Sequence, residues 1–140
     1  MQHDRHAARY VSKLSNKLRR RIDAFSTHGR MRGSQGRALH FLLAQQDDVF
    51  QKDIEDEFSL RPSTATQLLK SMERDGLIRR EPLPRDARRK RIVVTDKALA
   101  YRAAVMANIQ GLEAELTRGV DAADLEVFFR VIEQMLDNMR

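Results

Sequence analysis

Apolar residues recur at three- and four-residue spacing along most of this chain, a period that predicts helices. From about Asp4 to Thr27 the stripe is Val11, Leu14, Leu18, Ile22 and Phe25, and His28-Gly29 is a plausible stop. Ser34 is placed to cap a second helix, whose inner face carries Leu39, Leu42 and Leu43. Asp47-Asp48 turns the chain, Val49-Phe50 is long enough only for a stub of strand, and a short helix follows with Ile54 and Phe58 four apart. In "RPSTATQLLKSMERDGLI", Pro62 suits the first helical position, where a missing N–H is harmless. Ala65, Leu68, Leu69 and Met72 form the inner stripe, and Gly76 ends this helix.

The period then changes. Leu77 to Glu81 and Arg91 to Val94 read as strands flanking a basic loop, and Pro82 and Pro84 argue against a tight two-residue hairpin. Thr95 caps a long fifth helix carrying Val105, Ile109, Leu112 and Leu116 up to Gly119. Asp121 caps a sixth, with Leu125, Phe128, Phe129, Ile132, Leu136 and Met139. Helix, turn, helix, then a two-stranded basic loop is the layout of a winged helix-turn-helix. The expected fold is therefore mainly α with a small β wing, in one domain over residues 1–140. The winged unit would span about 34–96, and residues 1–30 and 97–140 would form dimerisation helices. Those outer stripes are too long for the small central unit to cover, and a second copy of the chain is the economical partner.

Charge sharpens this picture. The net charge is +6 with a pI near 10.2. The first forty residues hold ten Lys or Arg against Asp4 and Asp23, whereas residues 111–140 hold three Arg against seven acids. Between Arg85 and Arg91 stand five basic residues in seven positions. Such a split points to a polyanion on one side of the molecule, with duplex DNA ahead of an anionic membrane surface.

With Ala65, Leu68, Leu69 and Met72 inward, Ser63, Thr64, Thr66, Gln67 and Lys70 face outward near a helix N-terminus. Gln67 can bond adenine bidentately, Ser and Thr can bond either base, and a Thr methyl can touch a thymine methyl. Lys70 suits a phosphate better. A solvated helix face would have the same composition, and it is the basic loop that tips the balance. An Arg from that loop can enter the narrow, electronegative minor groove. Asp86 stands two residues before Arg88, close enough to fix its direction.

Other chemistries find little footing. The absence of cysteine excludes disulfides and thiolate sites in this chain. His3, His6, His28 and His40 make no ligand set, and neither metal nor cofactor is expected. Asp53, Glu55, Asp56 and Glu57 read as a solvated helix face without a companion base. No glycine-rich phosphate loop or nucleophile constellation is present, so an enzyme is not expected. No apolar run reaches the ~18 residues of a membrane span, and the N-terminus has no signal core; a cytoplasmic protein is the default expectation.

The run "STATQLLKSMERDGLIRREPLPRDARRKRIVVTDKA" resembles the recognition helix and wing of the MarR family of bacterial transcription regulators. Asp86-Ala87-Arg88 followed by "RIVVTD" is the family's wing motif, and "TATQLLKSMERDGLI" is similar to its helix pattern. Met72 and Val94 stand where Leu is commoner, Lys97-Ala98 departs from the usual pair after Thr95, and Arg61 sits where a better cap is usual.

The resemblance implies a homodimer through the first, fifth and sixth helices that binds a pseudo-palindromic duplex site, represses nearby genes and is released by a small molecule. It places base contacts on Ser63, Thr64, Thr66 and Gln67, and the minor-groove insertion on Arg88 oriented by Asp86. Phosphate contacts would come from Ser34, Gln35, Lys70, Arg74, Arg85, Arg89 and Lys90. Phe25, His28, Arg30, His40, Tyr101 and Met106 could line a pocket for a small aromatic or lipophilic effector. The competing readings are a ligand-independent DNA binder and a basic module that docks an acidic partner.

Overall fold

A computed structural model describes residues 5–25 and 31–140 of the chain. In chain order the elements are α1 (Ala7–Ala24), α2 (Gly33–Ala44), α3 (Gln51–Phe58), α4 (Pro62–Arg74), β1 (Ile78–Leu83), β2 (Asp86–Val94), α5 (Asp96–Leu99), α6 (Arg102–Thr117) and α7 (Ala122–Asn138). The fold is mainly helical with one two-stranded antiparallel wing. The chain divides into two compact units, Met1–Ile109 and Gln110–Arg140, and the boundary falls inside α6.

The core of the first unit lies where α2, α3, α4 and β1 meet. Leu39, Ile54, Leu69, Met72 and Leu77 are fully buried there, and Ala65 joins them. Leu77 follows α4, and the others are inner positions that the helical spacing predicts, with Leu68 and Leu43 only partly buried at the edge. Between α3 and α4 the turn runs through Ser59, which takes the left-handed conformation at φ 51°. The Leu60 N–H then reaches back to the Glu55 carbonyl at 2.9 Å, closing the end of α3. Pro62 opens α4 as expected.

Gly76, at φ 74°, takes the chain out of α4, and the exit is tied down from α5. The Thr95 hydroxyl donates to the Gly76 carbonyl at 2.6 Å and accepts the Ala98 N–H at 3.2 Å, so it caps α5 as expected. Lys97 Nζ donates to the Asp75 carbonyl at 2.6 Å.

Four local expectations change. The cap of α2 is Arg32, not Ser34, because the Arg32 N–H donates to Gln35 Oε1 at 3.0 Å and the helix begins at Gly33. Val49-Phe50 forms no strand ladder; Val49 gives one carbonyl to the Ile92 N–H at 2.8 Å. The long helix after Thr95 is broken in two. The Ala100 and Tyr101 N–H groups bond three residues back, to Lys97 and Ala98, and α6 restarts when the Val105 N–H meets the Tyr101 carbonyl. Ala98 and Val105, on either side of the break, are both buried.

The fourth change is the wing. Its turn is the two-residue Pro84-Arg85, flanked by the Leu83↔Asp86 pair. The regular ladder runs from Ile78↔Val94 to Pro82↔Lys90, then slips, leaving Ala87, Arg88 and Arg89 as a bulge on β2. The bulge accommodates both prolines: Pro82 closes the ladder, and Pro84 takes a turn position its fixed φ suits.

In the second unit a further expectation changes: Asp121 stands at the N-cap position of α7, but its side chain makes no cap bond. No residue from 110 to 140 is buried. Val127, Phe128, Phe129, Val131 and Leu136 are exposed, with the two phenyl rings packed edge to face at 5.6 Å. A helix pair with this composition has apolar surface that its own unit does not cover.

Candidate nucleic-acid interface

Helix α4 exposes Ser63, Thr64 and Gln67 to solvent, because Ala65, Leu69 and Met72 occupy the opposite face. Thr66 differs from its neighbours. Its hydroxyl donates to the Pro62 carbonyl at 2.9 Å and accepts from Gln51 Nε2 at 2.9 Å. Its hydroxyl is thus engaged within the protein as both donor and acceptor. Gln51, the first residue of α3, also accepts from Arg80 Nη1 at 3.4 Å and so joins α3, α4 and the wing. Arg80 Nε lies 3.4 Å from Glu73 Oε1, an ion pair without hydrogen-bond geometry. Nothing in the spacing of the sequence singles out Gln51 or Arg80, because they meet only through the fold.

The wing sorts its charges into two groups. Arg91 pairs across the strands with Glu81, donating through Nη2 at 2.9 Å, and also lies 3.6 Å from Asp48. Arg79 donates to the other Glu81 oxygen at 3.3 Å. The guanidiniums of Arg91 and then Arg79 hold the Glu81 carboxyl below its ordinary range, and Glu81 raises Arg91 in return. This cluster is locally compensated.

Beyond it, Arg85, Arg88, Arg89 and Lys90 are exposed around the turn and bulge. Asp86 Oδ1 accepts the Arg88 backbone N–H at 3.1 Å and lies 3.6 Å from Arg88 Nε. The Asp86–Arg88 pairing expected from the sequence is therefore present, with the Arg88 side chain 96% exposed. Arg89 lies over the Phe50 ring at 4.1 Å, which ties the bulge to the start of α3.

The expected phosphate set divides. Ser34, Lys70, Arg74, Arg85, Arg89 and Lys90 are exposed. Gln35 is not: it is 1% exposed, and its side chain is committed to Arg32, Ser71 and Asp75. Its side chain is removed from the phosphate contacts. The signal was available, since Gln35, Leu39 and Leu42 share one helical phase.

A cavity of about 480 Å³ opens beside α2 and α6, lined by Phe25, Met31, Arg37, Tyr101, Val105 and Asn108 among others. Of the expected pocket residues, Phe25 and Tyr101 line it. His40 and Met106 do not, since both sit off the lining faces of α2 and α6. His28 and Arg30 lie outside the described residues. Arg37 and Asn108 are lining residues the sequence did not single out; Arg37 also lies over the Phe58 ring at 5.4 Å. No group of three potential metal-ligating side chains occurs among the described residues, and none of their helices is long and apolar enough to cross a membrane.

A helix-turn-helix followed by a bulged, arginine-tipped hairpin defines a winged helix. Residues 31–89, which span most of the winged-helix segment, match the model of the MarR family. Among solved structures, the transcription regulator MarR from Oenococcus oeni PSU-1 is similar at 26% identity and TM-score 0.83, covering 94% of this chain and 99% of that one. A DNA complex of MepR from S. aureus is similar at 24% identity and TM-score 0.86, covering 96% and 99%. A MarR-family regulator from Listeria monocytogenes complexed with a 26mer DNA shares 15% identity at TM-score 0.86, covering 97% and 90%.

Proposed function

We propose that this chain is a transcription regulator that binds duplex DNA as a homodimer, reads a pseudo-palindromic site and represses nearby genes. In this reading Ser63, Thr64, Thr66 and Gln67 meet base edges in the major groove, and Arg88 enters the adjacent minor groove. Ser34, Lys70, Arg74, Arg85, Arg89 and Lys90 meet phosphates. The observation that carries the reading is the wing bulge: its geometry commits Asp86 to the Arg88 backbone and sends an exposed guanidinium outward. An exposed arginine carried outward at the tip of the wing has a use at a narrow groove and none in a core.

Two features support the further parts. Tyr10, Val11 and Leu14 on α1 are exposed, and so are Phe128, Phe129 and Leu136 on α7; a second copy covering these faces makes one MarR-type dimerising domain of residues 1–140. The cavity beside Arg37 and Tyr101 has the size and mixture of aromatic and cationic groups that suit a small aromatic or lipophilic effector bearing an anionic group. Such an effector releases DNA by binding the non-DNA geometry better. The chain works without a catalytic centre, in the cytoplasm.

The test combines sedimentation of the protein alone with fluorescence anisotropy on labelled duplexes in excess random competitor. A dimer whose preferred duplex resists competition is expected. A monomer titrated away equally by any polyanion would replace this reading with a general basic docking module.

A further inference from the structure

Among the described residues Gln35 is the one polar side chain that is buried, and nothing in the proposed contact set uses it. Its amide has a single orientation that satisfies its surroundings. The oxygen accepts the Arg32 N–H at 3.0 Å, which leaves the Nε2 hydrogens for Asp75 Oδ2 at 2.9 Å and Ser71 Oγ at 3.3 Å. Ser71 then donates to the Leu68 carbonyl at 2.7 Å, inside α4. This side chain crosses from the first turn of α2 to the last turn of α4, a separation of forty residues in sequence.

Both ends of the relay matter. Arg32 and Gly33 border the cavity, and Gly33 sits so close to the Ile22 carbonyl of α1 that a Cβ there would overlap it. Asp75 is held a second time, by Lys97 from α5, next to the break that turns Tyr101 toward the cavity. The C-terminal end of α4 is thus fixed by one buried amide on one side and by a lysine on the other. Apolar contacts hold a helix against a core but tolerate sliding and rotation; a directional bond at one end does not.

We infer that Gln35 is a positioning residue for DNA reading: its hydrogen bonds to Asp75 and Ser71 set the rotation and pitch of α4, and so the aim of Ser63, Thr64 and Gln67. The inference rests on the proposed reading of α4 as the base-reading helix. It makes the first turn of α2 a determinant of sequence discrimination without contact to DNA.

The test measures affinity for a selected specific duplex and for random duplex at one salt concentration, together with the thermal midpoint of each variant. Gln35→Met keeps the volume and removes the bonds; Asp75→Ala breaks the same contact from its half-exposed side, where the fold tolerates it better. Each variant is expected to lose specific affinity on the order of tenfold, about one misplaced base contact, while random-duplex affinity stays nearly constant. Gln35→Glu sets two carboxylates against each other and is expected to lose more. Gln35→Glu combined with Asp75→Asn exchanges donor and acceptor, keeps the net charge, and is expected to recover most of the discrimination.

Unchanged discrimination in folded Gln35→Met and Asp75→Ala overturns the inference, and so does failure of the exchanged pair to recover it. If the wild-type protein shows no preference between the two duplexes, the reading of α4 itself fails and takes the inference with it. If the wild type discriminates and the variants discriminate equally, only the role of Gln35 is lost.

Discussion

Arg88→Ala separates the proposed DNA contact from a structural role. The side chain is 96% exposed, and its ion pair with Asp86 at 3.6 Å is a surface contact of the kind that contributes about 0–1 kcal/mol. The bond that shapes the bulge uses the Arg88 backbone N–H, which alanine retains. Stability should therefore change by less than about 0.5 kcal/mol, close to the effect of an ordinary surface substitution. Binding should change far more.

One arginine lost from a groove contact is worth about 1–3 kcal/mol, or roughly 5- to 150-fold in affinity at fixed salt. Loss of one cation from the electronegative groove also flattens the dependence of log K on log salt. The assay is anisotropy on the preferred duplex between 50 and 200 mM salt, alongside urea unfolding. Arg88→Lys should recover the slope but not the full affinity, since a compact ammonium keeps the charge without the planar fork. Unchanged affinity and slope in a folded Arg88→Ala protein would refute the assignment of this residue to DNA. A large loss of stability would instead show that the side chain supports the wing.

Three further perturbations follow from the geometry. Leu69→Ala empties a fully buried position between α2, α3 and α4 and should destabilise the protein by about 2–5 kcal/mol in urea unfolding. Gly33→Ala forces a methyl group against the Ile22 backbone, so a drop in thermal midpoint is expected even though alanine favours helices. The Glu81 carboxyl is lowered by Arg91 and Arg79, so it supports the folded wing above its unfolded pKa and the support fades as pH falls through its depressed folded value. Protection of the amides between Arg79 and Ile92, taken relative to their intrinsic exchange at each pH, should therefore fall below the ordinary glutamate range, and Glu81→Gln should remove that loss of protection.

Much of this fold was legible because helical periodicity and core burial come from the same residues. Ala65, Leu69 and Met72 fall inward for that reason, and Pro62 and Gly76 bound α4 through backbone conformation alone. The wing was legible as a motif but not as a shape. Two prolines suggested a wider loop, whereas a bulge of three residues lets the chain close on Pro84-Arg85. Register slips of that kind depend on cross-strand pairing, which local sequence does not encode. The break after Leu99 was hidden for a related reason: α5 and α6 share one apolar stripe, and the hydrogen bonds to Lys97 and Ala98 that divide them have no residue signature.

Site chemistry followed the same division. Exposed residues on a phased helix, such as Ser63, Thr64 and Gln67, stand where their spacing put them. Residues whose role depends on a distant partner did not. Gln35 looked like a phosphate contact until its partners forty residues away, Ser71 and Asp75, appeared around it. Thr66 looked like its neighbours until Gln51 took its hydroxyl. Pocket residues were the least legible, because a cavity is a property of several elements together. Phe25 and Tyr101 line it, while Arg37 and Asn108 come from faces that sequence alone would assign to solvent.

The most direct test of the central claim is selection of bound sites from a random duplex pool at physiological salt. A symmetric reader with two winged units predicts an inverted repeat whose half-sites lie about 34–36 Å apart, one helical turn. Recovery of no consensus, or of a single unrepeated half-site, would contradict it.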